Sequence, residues 1–312
     1  MSLVALIAAL LLEQLQPLSS QKFLRGWLSG YADFFQHHFN GGEFRHGKIA
    51  WLVAVLPLVA GTVVFYWLMY RAHPVFAWAL DVLVLYLTMG FRQFSHYFTD
   101  IHKALRDGEL DKARSLLSAW RGVHAHELNA EEVARVTIEE ALLASHRNVF
   151  GVVVWFVLFS ALGLGGAAGA LLYRLGQFLR ARWGEGDATV LGEFGGFARR
   201  ACYLLEWLPV RLTAATFAIV GDFEDTAYCW RTQAASWPDP EAGILLASGA
   251  GALGVRLGMP IPQGGLPLGR PELGIGDEAD ADFMQSTVGL VWRSVVFWLI
   301  LLALLTLANL LG

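Results

Sequence analysis

Long uncharged apolar runs alternate along this chain with stretches in which charged residues recur at helical spacing. A helix that crosses about 30 Å of hydrocarbon needs about 20 apolar residues at 1.5 Å each. Ile49 to Tyr70, Val149 to Leu172 and Val288 to Leu311 satisfy this, the last interrupted only by Arg293, which can snorkel near one end. Gly163, Gly165, Gly166 and Gly169 form a small-residue stripe in the second run, read as a face for close helix approach within a spanning helix.

Three shorter segments complete the apolar pattern. Pro74 to Met89 holds Asp81 and is read as the second arm of a hairpin, joined to the preceding helix through Arg71-Ala72-His73. Met1 to Leu15 contains Glu13 and lacks the basic n-region and small-residue cleavage site of a signal peptide, so it reads as a retained membrane segment. Leu204 to Val220 contains Glu206, Pro209 and Arg211, and lipid opposes each central charge by about 2.5–3.5 kcal/mol. That segment is expected to be broken or re-entrant and to face protein or a wet cavity. In Gln21 to Phe39, Phe23, Trp27, Tyr31, Phe34 and Phe35 recur at near-helical intervals with Lys22, Arg25 and Asp33 elsewhere, the pattern of a helix lying in the interface plane. The expected fold is an all-α integral membrane protein with about five or six membrane helices.

Two polar regions lie between the apolar runs. Residues 92–148 carry eight Lys/Arg against nine Asp/Glu, with helical periodicity in Phe98, Ile101, Ala104 and Leu105 and again in Leu110, Ala113, Leu116 and Leu117. Residues 223–287 carry three Arg against nine Asp/Glu and are rich in Gly and Pro, read as structured loop rather than regular helix. The expected layout is therefore N-terminal membrane helices (1–91, with an interfacial segment at 20–40) and a water-facing helical region (92–148). A Gly-rich and Arg-containing membrane part (149–222), an acidic loop region (223–287) and a C-terminal membrane helix (288–312) follow. If the apolar segments at 149–172 and 204–220 both cross, the two polar regions emerge on one side and can share a site.

Composition agrees with lipid as the solvent: 55% of residues are hydrophobic and 16% charged, against about 25% charged in soluble domains. Many of the 12 Trp and 20 Phe fall at the edges of apolar runs, where amphipathic rings favour the headgroup layer. A net charge of −4 with no Lys/Arg block sets nucleic-acid binding aside. Cys202 and Cys229 are the only cysteines, and neither they nor His37, His38, His46, His124 and His126 fall at a metal-ligand spacing, so no metal site is expected. Basic residues divide between 92–148 and 173–203, and the positive-inside rule gives conflicting votes on orientation.

Candidate chemistry concentrates where the first polar region enters the membrane. Arg135, Glu139, Leu142 and His146 recur at i, i+4, i+7 and i+11, which puts a basic, an acidic and an imidazole group on one helical stripe. Glu140 and Arg147 form a neighbouring stripe. The functional reading makes Glu139 and His146 proton-transfer groups; the plainer one is solvated i,i+4 pairs on an amphipathic helix. Arg92, His96 and Lys103 share a face suited to headgroup contact.

Several motifs carry a family resemblance. Gly90-Phe91-Arg92, Leu105 to Leu110 (LRDGEL), Ala113-Arg114 and Leu117-Ser118 match, in type and spacing, the Gly-Leu-Arg helix end and Ala-Arg…Leu-Ser helix pair of the CobD/CbiB family. Glu206 to Leu212 (EWLPVRL) is similar to its Asn/Asp-Trp-Ile/Leu-Pro-Ala-Arg-Leu signature, and Gly251 to Pro260 (GALGVRLGMP) resembles its Gly-Ala-Leu-Gly-Val-Arg-Leu-Gly-Gly-Pro signature. The resemblance covers about residues 85–311. It implies a multi-pass protein of the bacterial inner membrane that joins aminopropanol, or its phosphate, to a carboxylate of adenosylcobyric acid. Such an amide-forming ligase activates the acid, usually with a nucleotide triphosphate and Mg²⁺, and neutralises the charge that develops. Membrane lipid, a corrinoid or other anionic small molecule and a second copy of the chain are the partners it suggests. Arg211 and Arg256, inside the matching motifs, become leading substrate-binding residues because a planar guanidinium binds phosphate or carboxylate bidentately. Arg256 is placed in a Gly-bounded turn whose backbone can curl around an anion. Arg114, Ser118, Arg92 and Arg147 complete the expected binding set, with Glu139 and His146 as the catalytic pair.

The sequence also departs from that pattern. Family members carry Gly-Arg-Asp-Thr where this chain reads Trp120-Arg121-Gly122-Val123, Glu-Asn-Thr-Ser-Asp-Gly where it reads Leu143 to Asn148 (LASHRN), and Asn-Thr-Leu-Asp where it reads Gln177 to Arg180 (QFLR). Gln177 to Arg182 (QFLRAR) and Trp207 to Leu212 resemble instead the AmpE proteins, membrane proteins linked to β-lactamase regulation. The alternative is thus an AmpE-like regulatory or sensory protein that kept the fold without the reaction.

Overall fold

The structure, a computed structural model, describes residues 2–15, 21–186, 188–263 and 266–311, without the side chains of residues 2, 21–25, 91–94, 188, 263, 266, 267 and 309–311. In chain order the first helices are α1 (Ser2–Leu15), α2 (Gln21–Phe39), α3 (Phe44–Ala72), α4 (Pro74–Thr88), α5 (Phe91–Arg106), α6 (Leu110–Arg121) and α7 (Ala130–Ser145). A π turn at His146–Phe150 leads from α7 into α8 (Gly151–Ala161), followed by α9 (Gly166–Leu179), α10 (Ala188–Leu191) and α11 (Gly196–Val220). Then come α12 (Phe223–Gln233), α13 (Pro240–Leu253), the strands β1 (Val255–Gly258), β2 (Ile261–Gln263), β3 (Leu266–Leu268), β4 (Glu272–Leu273) and β5 (Asp277–Glu278), and finally α14 (Ala281–Leu311).

Among the described residues, four helices are long and apolar enough to cross a membrane, Phe44–Ala72, Ala130–Ala161, Gly196–Val220 and Ala281–Ala308, with shorter apolar helices at Leu3–Leu15 and Pro74–Thr88. The protein is an all-α membrane protein. Val53, Leu56, Val64, Phe65, Trp67 and Leu68 of α3 and Ile300, Leu304, Leu305 and Leu307 of α14 are exposed. Apolar surface of that extent is stable against lipid tails and not against water. The chain divides into two compact units, Met1–Gly90 with Phe150–Pro209 and Phe91–Val149 with Val210–Gly312.

In the first unit α3 and α4 form the expected hairpin. His73 ends α3 in an extended conformation and its Nδ1 accepts from the Val75 N–H at 3.3 Å, while Pro74 occupies the first turn, where no N–H is needed. Asp81, the charge in the short arm, is buried and accepts from the Ala167 N–H at 2.9 Å, so it caps the start of α9 from a neighbouring helix. The glycine stripe corrects the sequence reading. It does not lie within one spanning helix: Gly163 (φ 72°) and Gly165 (φ 85°) are left-handed and turn α8 back into α9. A Cβ on Gly169 would sit 2.1 Å from the Trp155 carbonyl oxygen, so the two arms are locked at glycine contact distance. The break expected near Pro209 falls here instead, and α11 runs unbroken through Pro209.

The interfacial reading of α2 can be followed from Trp27 onward, since the side chains of Lys22, Phe23 and Arg25 lie outside the described residues. Tyr31 stacks on Trp27 at 5.5 Å and donates to the Ala54 carbonyl at 2.8 Å, while Trp27 and Phe34 remain exposed.

In the second unit α7 is the centre. Asn129 and Glu132 form a reciprocal capping box at its start, and α5, α6, α13, α14 and β1 pack around it. Residues 223–287 are not mainly loop, as their Gly and Pro content suggested. Pro240 stands in the first turn of α13 behind an Asp239 cap, and the helix is buried almost throughout. Its glycines serve packing: a Cβ on Gly251 would meet the Asp225 carbonyl oxygen at 2.5 Å, and one on Gly249 would meet Leu142 of α7 at 2.5 Å. Gly254, left-handed, caps α13 and starts β1, which lies between antiparallel β4 and parallel β5.

Candidate functional site

The two polar regions meet in this second unit around one buried carboxylate. Glu139 of α7 accepts from the Gly258 N–H at 2.8 Å and from both terminal nitrogens of Arg270, at 2.6 and 3.2 Å. Both side chains are under a tenth exposed. Arg270 also donates to the carbonyls of Gly258 (2.9 Å) and Met259 (3.1 Å) and lies 5.5 Å from the centre of the Trp237 ring. Gly258 and Met259 are consecutive left-handed residues, and a Cβ on Gly258 would sit 2.0 Å from the Pro271 carbonyl oxygen. One guanidinium therefore pins a strained turn to the central helix while neutralising its buried acid.

Arg256 is on strand β1, not in the glycine turn that the motif suggested; Gly254 and Gly258 bound the strand on either side. Alternation along β1 buries Val255 and Leu257 and turns Arg256 outward. Its terminal nitrogens reach Glu278 at 3.2 Å and Glu272 at 3.7 Å, whereas its Nε is buried with no hydrogen-bond partner. One turn before Glu139 on α7, Arg135 is 6% exposed and makes no hydrogen bond or ion pair among the described residues.

The other expected residues occupy different places. Arg211 pairs with Glu241 of α13 at 3.8 Å. His146 is fully buried in the π turn, its Nδ1 3.0 Å from the Thr213 hydroxyl and its Nε2 without a partner. Arg147 is half-buried in the same turn. Arg114 and Ser118 bind backbone. Arg114 Nε donates to the Leu128 carbonyl at 2.7 Å, and Ser118 accepts from the Ala125 N–H at 2.9 Å, so the pair holds the 122–128 turn against α6. The Arg92 side chain lies outside the described residues. Arg270 and Trp237 were missed; Arg270 is flanked by Gly269 and Pro271, with no periodicity around it, and meets Glu139 across 131 positions.

In the first unit, two of the departures from the family pattern find one partner. Gln177 Nε2 donates to Glu206, and Arg180 reaches the second oxygen of the same carboxylate at 3.2 Å. Where the resemblance places an amide and an acid, this chain has an amide and a cation that close on the acid of its EWLPVRL motif. Cys229 on α12 is a buried thiol, pushed up to about 11 by burial and by the nearby Asp225 carboxylate, which makes it a poor nucleophile. Among the described residues no group of three or more His, Cys, Asp or Glu side chains is placed to hold a metal ion. Among the described residues no acidic cage suited to a Mg²⁺ ion accompanies the arginines.

The fold defines a multi-pass membrane protein with a polar, arginine-containing centre in its second unit. Residues 6–291 match the family described as CobD/Cbib protein. The chain is 37% identical over 275 residues to the cobalamin biosynthesis protein CobD of Stutzerimonas stutzeri, covering 87% of each. It is 37% identical over 250 residues to that of Chromobacterium violaceum, covering 80% of this chain and 76% of the relative. Against the cobalamin biosynthesis protein CbiB of Salmonella typhimurium the identity is 26% over 240 residues, covering 74% and 72%. The chain belongs to the CobD/CbiB family. Nothing in these comparisons supports the AmpE-like alternative, and no solved structure matches.

Proposed function

We propose that this chain acts in the bacterial inner membrane as the amide-forming ligase of cobalamin biosynthesis, joining aminopropanol or its phosphate to a carboxylate of adenosylcobyric acid. The observation that carries the reading is the match to relatives named for cobalamin biosynthesis across most of this chain. The polar centre suits the chemistry. Attack of an amine on an activated carboxyl group develops negative charge on oxygen, and guanidinium groups held in a low-dielectric interior stabilise it without reorganising. Arg256 and Arg211 bind the anionic groups of the substrates. Glu139 is a positioning residue, because both its oxygens are engaged by Arg270 and the Gly258 N–H.

Expression in a bacterium that lacks its aminopropanol-attaching step tests the proposal. Growth that depends on cobalamin synthesis is expected to return. A protein that reaches the membrane in normal amount and restores no growth refutes the ligase reading.

A further inference from the structure

The hairpin at Gly163 and Gly165 changes which ends of the first unit lie together. As a single crossing, Val149 to Leu172 would put the basic residues before it and those at 173–203 on opposite sides, and the positive-inside count cancels. As two arms, α8 and α9 go out and back. A Cβ on Gly165 would meet the Tyr66 ring at 2.4 Å, so their turn lies beside the C-terminal part of α3. At the opposite end, a Cβ on Gly47 would meet the Phe194 carbonyl oxygen at 1.9 Å, Arg200 lies 5.3 Å from the centre of the Phe44 ring, and Arg199 donates to the Gly184 carbonyl at 2.8 Å. The start of α3, the turn after α9 and the start of α11 therefore share one face. α4 runs beside α9 towards that face: Asp81 accepts from the Ala167 N–H near the start of α9, and Thr88 accepts from Arg174 further along. The chain thus leaves this unit after Gly90, and re-enters it at Phe150, from the same side.

Cations gather on this face. Arg45, Lys48, Arg180, Arg182, Arg199 and Arg200 stand here, and among the described side chains of the unit Arg71 alone stands at the other end. Each basic turn borders a lipid-facing one: Ile49, Val53 and Leu56 follow Lys48 on α3, and Tyr203, Leu204 and Trp207 follow Arg200 on α11, all exposed. That register sets the cationic groups at headgroup depth. Arg182 pairs with Asp33, and Arg180 with Glu185 and Glu206, whereas Arg45, Lys48 and Arg200 are in no ion pair among the described residues. Glu43 and Glu193 are exposed on the same face, but orientation follows Lys and Arg and responds little to Asp and Glu. We propose that this face seats on the anionic cytoplasmic leaflet, with Ala72 and Leu162 at the opposite surface. The Lys and Arg of residues 92–148 then no longer oppose those of 173–203, and Phe91–Val149, which carries Glu139, joins the unit from the cytoplasmic side. The inference goes beyond the proposed function and rests on it only for the bacterial inner membrane.

The test is labelling of the full-length protein in spheroplasts with a membrane-impermeant maleimide, before and after lysis. Cys202 and Cys229 are buried, so the wild-type protein is the unlabelled control. Glu43→Cys and Glu193→Cys report the cationic face without removing a Lys or Arg, and Ala72→Cys and Leu162→Cys report the opposite one; all four positions are exposed. Two reporters at each end keep the result readable if one variant fails to accumulate. Ala72→Cys and Leu162→Cys are expected to label in intact spheroplasts as fully as after lysis. Glu43→Cys and Glu193→Cys are expected to label at least tenfold more after lysis than before. The reverse pattern, or equal labelling of the two ends in intact spheroplasts, overturns the proposal. Growth rescue with the reverse pattern defeats this inference alone, and the expected pattern without growth rescue defeats the ligase reading alone.

Discussion

The Glu139–Arg270 pair shows why a buried charge pair is harder to break than to replace. Removing one partner strands the other in the interior, at about 3–5 kcal/mol, whereas exchanging both for apolar groups is often near neutral. Arg270→Met is therefore expected to lower the unfolding free energy by about that amount, and Glu139→Leu with Arg270→Met to recover much of it. Denaturant titration of both variants in micelles checks this, and equal losses in the single and double variants would contradict it. Only half of this pair was legible in the sequence. Glu139 stood out because helical periodicity aligned it with Arg135 and His146 on one stripe. Arg270 lies among Gly and Pro, where no period reports direction, and only the tertiary fold brings it to α7. Arg114 and Ser118 teach the converse: their motif was visible, but a motif does not reveal that its polar atoms face backbone.

At the scale of elements, glycine placement decides how helices meet. The arms α8 and α9 touch at Gly169, where any Cβ meets the Trp155 backbone. Gly61, on the exposed face of α3, has nothing within 4 Å. Gly169→Ala should therefore cost about 1–3 kcal/mol through overpacking, while Gly61→Ala should be neutral or stabilising by about 0.5–1 kcal/mol. Thermal midpoints of the two variants, measured side by side, are expected to move in these opposite senses; a loss at Gly61 equal to that at Gly169 would remove the packing argument. Hydropathy found the apolar stretch around these glycines and missed its reversal, because a hairpin and a single spanning helix bury similar residues. Gly and Pro likewise concealed α13, whose proline is an N-terminal helix former and whose glycines are contact points with α12 and α7.

For the whole molecule, the apolar runs and the family motifs together specified a membrane protein of the CobD/CbiB family, and the structure adds where its polar residues converge. Lipid-facing surface on α3 and α14 accounts for the exposed Leu, Val and Phe that a soluble protein would bury. The second unit gathers Glu139, Arg270, Arg256 and Arg135 around α7 and the β1 strand, from segments far apart in sequence. The ligase reading asks this centre to direct one bond, between an amine and an activated corrinoid carboxylate. The most direct measurement is mass spectrometry of the corrinoid after purified protein is incubated with adenosylcobyric acid, aminopropanol phosphate, a nucleotide triphosphate and Mg²⁺. The account predicts a new corrinoid heavier by one aminopropanol phosphate less one water, formed by wild type and reduced at least tenfold in Arg256→Ala. Unchanged adenosylcobyric acid with folded wild-type protein would contradict it.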